Sequence, residues 1–215
     1  MKKGIVTAIF LIFLPLYFVA QVSLHDSITY TFNIKTNPFA MLQGPIMYTS
    51  EYRLGFEKPV SLTSAIQVSA SWLGKAFYEN FIEAAADVND ILLINGYRFQ
   101  AEYKYYLKSI RHRWMPFNGL YMAINGSYSQ AKITTSDYKI HDEYISAIYE
   151  YIALKNGYQY CYGRYTFDFF YGLGIRDIIW KSNLSQQNQT LDKKNFVPFN
   201  SSLKILLGIN IGIRL

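Results

Sequence analysis

Few residues in this chain have the types and spacing for chemistry. His141-Asp142-Glu143 gathers three ligand-type side chains, but three adjacent residues in a loop point different ways and rarely close a metal site alone. The same His141 with Glu143 and either Ser136 or Ser146 is the one trio that could supply base, acid and nucleophile, and its spacing fixes no hydrogen-bonded geometry. Asp87, Asn89 and Asp90 lack the glycine and terminal glutamate of an EF-hand loop, so a solvated acidic loop is the expected reading. His112 lies between Arg111 and Arg113 beside Trp114, a set suited to lipid headgroups. The single cysteine, Cys161, can form no intramolecular disulfide and reads as a small strand residue. Enzymatic activity, a metal and a cofactor are therefore not expected.

A different set of charges recurs at alternate positions: Lys35, Glu51, Arg53, Arg98, Glu102, Lys104, Asp168, Arg176, Lys204 and Arg214. Each shares a face with Gly, Ser, Thr or Asn, opposite a face of Tyr, Phe, Trp, Ile and Leu. Both signs occur, so enclosed together they can pair, which is the condition for burying charge without a large penalty.

The elements that would carry them are strands. In Leu203 to Leu215, Leu203, Ile205, Leu207, Ile209, Ile211, Ile213 and Leu215 share one face, while Lys204, Gly208, Asn210, Gly212 and Arg214 share the other. The same period of two places Tyr165, Phe167, Phe169, Tyr171, Leu173 and Ile175 against Thr166, Asp168, Gly172, Gly174 and Arg176. It also opposes Tyr97, Phe99, Ala101, Tyr103, Tyr105 and Leu107 to Arg98, Gln100, Glu102 and Lys104. Further strands are expected at about 28–37, from Ile46 to Phe56 and from Val60 to Trp72. Two more, at 119–134 and 143–161, have less certain faces. Lys58-Pro59 is expected to reverse the chain, residues 74–95 to form a long connection with a short helix over 78–88, and Gly163-Arg164 a tight turn.

Eight such strands predict an all-β fold, an eight-stranded antiparallel up-and-down transmembrane barrel. An inward apolar face, as in a soluble barrel, would crowd more aromatic bulk into the lumen than eight strands hold, so the apolar faces should meet lipid. Composition agrees: aromatic residues make up 18% of the 215 residues and charged residues only 17%, with 20 Tyr and 15 Phe.

At the start, Lys2 and Lys3 precede an apolar run from Ile5 to Val19 and then Ala20, the layout of a secretory signal peptide over 1–20, leaving 21–215 as the barrel. Pro15 and the short run argue against a permanent membrane helix. Loss of the two lysines takes the formal charge from +6 to +4, too mild to suggest nucleic acid.

The run Gly96 to Leu107 followed by Pro116-Phe117-Asn118-Gly119-Leu120-Tyr121 resembles a family of uncharacterised small bacterial outer-membrane barrel proteins. So do Ile34 to Pro38 and Gly172 to Arg176. More broadly the architecture is similar to the membrane domains of OmpA and OmpW. The resemblance implies residence in the outer membrane of a Gram-negative-type bacterium, contact with outer-membrane lipids, and delivery by the barrel-assembly machinery. Leu207, Ile209, Ile211, Ile213 and Leu215 would act as the C-terminal assembly signal, although such barrels more often end in an aromatic residue. The expected molecule is a monomer with a largely filled polar lumen and a structural or surface-contact role, its external loops meeting an extracellular ligand. A narrow channel or a transporter of small hydrophobic molecules is the alternative, and a lipid-modifying enzyme a remote third.

Overall fold

The computed structural model describes residues 32–42, 44–46, 49–61, 63–76, 78, 92–109, 118–135, 144–183, 189–190 and 202–215. In chain order these form β1 (Asn33–Thr36), the helix α1 (Pro38–Leu42), β2 (Thr49–Pro59), β3 (Ser64–Lys75), β4 (Leu92–Ser109) and β5 (Gly119–Thr135). They are followed by β6 (Ile145–Tyr162), β7 (Tyr165–Ser182), the two-residue β8 (Gln189–Thr190) and β9 (Leu203–Arg214). The proposed signal segment lies outside the described residues.

Every neighbouring pair of wall strands is antiparallel, from β1 through β7, and β9 pairs with both β7 and β1. The ring is thereby closed: eight strands form an up-and-down barrel, and β8 only extends the end of β7. Closure removes the sheet edges that would otherwise expose unpaired backbone groups, the condition a β-structure must meet in hydrocarbon.

Side-chain direction follows the period of two. Trp72, Phe99, Tyr128, Ile152, Ile175 and Leu207 stand on the outer wall, and Leu207 is 84% exposed. Alternate residues turn into the lumen, where Glu51, Glu102, Lys104 and Asp168 are buried. β1 is short, and α1 continues the chain beside β2 and β9 with Phe39 and Leu42 outward and Ala40 inward. Its first turn is capped by Asn37, whose Oδ1 accepts from the Ala40 N–H at 3.0 Å.

Several boundaries differ from the sequence expectation: β2 starts at Thr49 and β3 at Ser64, later than expected, and Pro38–Leu42 is a helix. Pro59 ends β2 instead of reversing the chain, and the turn falls at 60–63. The Val60 N–H bonds the Ser64 carbonyl at 3.0 Å, so the Pro59 nitrogen faces away from β3 and its missing proton costs that ladder nothing. Val60 accordingly belongs to the turn. The connection expected over 74–95 is shorter, because β3 runs to Lys75 and β4 starts at Leu92; residues 79–88 of the expected helix lie outside the described residues. At the opposite end of β6, Gly163 takes a φ of 56°, the left-handed conformation that lets two residues join β6 to β7.

Both described chain ends, Phe32 and Leu215, meet at the end of the barrel that holds the 60–63 and 163–164 turns, where the Leu215 N–H bonds the Phe32 carbonyl at 2.7 Å. The β4–β5 connection, nine residues, leaves from the same end; the β5–β6 connection, also nine, and the three longer ones leave from the other.

Candidate functional site

Inside the wall the charges segregate into two clusters. Nearer the chain termini, Lys35, Lys104 and Lys155 meet Glu57, Glu102 and Asp168, three cations against three carboxylates. Asp168 is the hub and has no exposed surface. Its Oδ2 accepts from Lys104 at 2.8 Å, Lys35 at 3.1 Å and Asn210 at 3.1 Å, while Oδ1 accepts from the Tyr121 hydroxyl at 2.6 Å. Glu57 ties the same two lysines together, at 2.8 Å from Lys35 and 3.1 Å from Lys104. Lys155 donates to Glu102 at 2.5 Å, and Asn125 donates to the same oxygen at 3.1 Å.

These bonds join β1, β2, β4, β5, β6, β7 and β9, and therefore cross the lumen instead of running along one ladder. Neutral groups complete the layer. The Tyr106 hydroxyl reaches Glu57 and Gln159 at 3.2 and 3.1 Å, and the Tyr106 and Tyr121 rings lie 5.5 Å apart. The Tyr121 ring carries the Lys104 ammonium 4.6 Å from its centroid. Tyr121 fits because Gly157 opposes it: a Cβ there would strike the tyrosine ring and hydroxyl.

The second cluster lies toward the longer connections. Glu51 accepts from Arg98 Nη1 at 2.6 Å, Arg53 Nε at 2.7 Å and Ser71 at 2.8 Å. Arg98 also donates to Ser127 at 2.8 Å and to the Tyr151 hydroxyl at 3.0 Å. Above it the lumen turns apolar, with Ile46, Leu73, Ala131, Ala147, Ile178 and Trp180 packed together. Gln100 Oε1 between the clusters, Asn125 Oδ1 in the first and Ser129 Oγ beside Arg98 in the second are buried and make no hydrogen bond among the described residues.

Of the ten charges singled out by alternation, Lys35, Glu51, Arg98, Glu102, Lys104 and Asp168 are buried in the lumen, and Arg53, Arg176, Lys204 and Arg214 are half-buried on the same inward face. Lys204 sits 5.5 Å from the Tyr149 ring, and Arg214 lies at the terminal end opposite Asn33 in the β1–β9 register. The structure adds Glu57, Lys155, Tyr106, Tyr121, Tyr151 and Gln159. Glu57, Lys155 and Gln159 stand on inward faces of the same period of two; nothing in their spacing points to partners up to 124 residues away.

No family model matches the sequence, and no curated protein matches it. Among solved structures the chain is similar to a major outer membrane protein from Thermus thermophilus, at 6% identity and a TM-score of 0.47. The match covers 87% of this chain and 100% of that one. The barrel fold rests on the strand ladders themselves.

The remaining candidates can be placed only in part. His25, His112, His141, Ser136, Asp142, Glu143, Asp87, Asn89 and Asp90 lie outside the described residues. Ser146 belongs to β6 and faces outward, between Lys132 of β5 and Lys181 of β7 in register. Among the described residues no three His, Cys, Asp or Glu side chains gather as metal ligands. The residues of the expected assembly signal line the outer face of β9, with Leu207, Ile211, Ile213 and Leu215 exposed and Ile209 half-buried.

Proposed function

We propose that this chain is an integral outer-membrane barrel that works as a sealed scaffold, monomeric, presenting its longer connections outside the cell. The observation that carries this reading is the crossed ion network, which joins strands on opposite sides of the lumen under an apolar cap. A lumen filled in this way blocks solute passage, so contact with partners falls to the loops. The outward Tyr, Phe, Trp and Ile belt supports a lipid setting, where that surface needs no further cover. The two- and four-residue turns beside the chain termini support a periplasmic position for that end. Outer-membrane lipids and the barrel-assembly machinery are the partners this reading requires, an extracellular ligand for the loops the one it leaves to be found.

A narrow water-filled path is the second reading, favoured by the unpartnered oxygens of Gln100, Asn125 and Ser129, which run along the lumen from the first cluster to the second. Planar-bilayer conductance of the refolded protein and of Glu102→Gln separates the two. The sealed reading expects silence in both. Reproducible channels in the unsubstituted protein whose conductance changes with Glu102→Gln would establish the path instead.

A further inference from the structure

The outer wall is not uniformly convex. Where β3, β4 and β5 pass the middle of the apolar belt, Ala101 and Gly126 face each other in register, with Ala70 nearby. They floor a hollow of about 570 Å³ walled by Phe56, Val68, Phe99 and Tyr128. Bulk on this face is free, since it meets only lipid, yet this patch carries none. A Cβ added at Gly126 would meet nothing within 4 Å, so no packing demand explains the glycine.

Farther up the wall, beginning on β3, β4 and β5 and extending sideways to β6 and β7, lies a second recess, of about 640 Å³, and its chemistry is different. Lys132 and Lys181 stand on either side of Ser146 in register, rooted about 10 Å apart given the spacing of neighbouring strands. The Lys132 ammonium lies 3.7 Å from the Tyr144 ring centroid, and the Tyr97 hydroxyl donates to Gln130 at 2.8 Å across the floor. Tyr97, Phe99 and Tyr128 separate the two recesses, with the Tyr97 ring 5.6 Å from Phe99 and 6.4 Å from Tyr128. Two acids, Glu150 and Asp177, face each other lower on β6 and β7 and do not line the upper recess.

A basic, hydrogen-bonding cleft above an apolar hollow on the lipid side of a membrane wall has the polarity of a single amphiphile. We propose that this groove is a binding site for one anionic, phosphate-bearing lipid. Its headgroup lies against Lys132 and Lys181, and an acyl chain lies over Ala101 and Gly126. The site rests on the membrane reading given above, which places the upper recess at the outer leaflet. Lysines near a membrane surface each attract an anionic headgroup, and the two together amount to roughly tenfold or more in retention. The small-residue hollow adds selectivity for a chain that can lie in it.

Native mass spectrometry of the folded protein tests this after exchange into detergent with phosphatidylglycerol, phosphatidylcholine of the same chains, or inorganic phosphate. Flotation of the same samples with vesicles reports membrane insertion separately. The expected result is insertion, together with a phosphatidylglycerol adduct that survives activation about tenfold better than the phosphatidylcholine adduct. That preference falls to near unity in Lys132→Ala/Lys181→Ala. Gly126→Leu, which fills the hollow without touching the lysines, weakens retention of both lipids while leaving insertion and folded electrophoretic mobility unchanged. Insertion with equal retention of the two lipids, or with adducts indifferent to both variants, overturns the site but not the membrane reading. Displacement by inorganic phosphate as effective as by lipid overturns the acyl-chain half. Failure to insert overturns both.

Discussion

Replacing Asp168 by Asn should destabilise the barrel more than any other single isosteric change in the lumen. Asp168 neutralises Lys35 and Lys104 together and orients Tyr121 and Asn210. In the asparagine variant both lysines remain buried and share Glu57, the only other carboxylate in reach being Glu102, 3.8 Å from Lys104 and already paired with Lys155; one positive charge in the cluster is left uncompensated, and an amide N–H faces ammonium donors. Removing one member of a buried ion pair typically costs about 3 to 5 kcal/mol, because the partner cannot recover its hydration. Tyr121 keeps an oxygen acceptor, which argues for the lower half of that range. With a urea slope of about 2 kcal/mol per molar, the unfolding midpoint in lipid vesicles falls by roughly 2 M. The cause can be isolated by also replacing Lys104 with Met. Lys35 then has Glu57 to itself, Lys155 keeps Glu102, and the cluster is again neutral. The double variant should therefore be more stable than the sum of the single changes by at least about 1 kcal/mol. A stability for Asp168→Asn within about 0.5 kcal/mol of the unsubstituted protein, or strict additivity with Lys104→Met, would refute a charge-balanced lumen.

Three further outcomes follow from the same geometry. Gly157→Ala should cost about 1 to 3 kcal/mol, since its Cβ displaces Tyr121. Gly126→Ala, on the open outer wall, should stay within about 0.5 kcal/mol; urea midpoints of the pair check both. Cys161, buried on the inner face of β6, should react with a maleimide on the order of a hundredfold more slowly in the folded barrel than in urea, followed by mass shift over time.

The outer faces of β3, β4, β7 and β9 were legible in the sequence because bulky apolar residues recur along them opposite mostly polar or small inward residues, so the period of two is plain. The inner faces of β5 and the upper part of β6 were not. The lumen there takes Tyr121, Ala131, Ala147, Tyr149 and Tyr151, and apolar residues on both faces erase the binary pattern. The candidate site was legible as a list of inward charges and not as pairs. Whether Glu57 meets Lys104 or Lys155 depends on how far each strand is staggered around the barrel, a quantity set by the whole ring of registers. Pro59 misled for a local reason: a proline whose nitrogen faces away from the neighbouring strand can end a strand as readily as break it.

Which face of the wall meets lipid is the claim everything else depends on, and two tryptophans report on it from opposite sides. Trp72 stands on the outer wall and is 61% exposed, whereas Trp180 is buried in the apolar cap of the lumen at 9%. Variants that keep one of the two, with Trp114→Phe in both, can be folded into vesicles whose acyl chains carry bromine, a contact quencher of indole fluorescence. The account predicts strong quenching of the Trp72 protein and little change for the Trp180 protein. Quenching of Trp180 with Trp72 unaffected, or of neither, would contradict it.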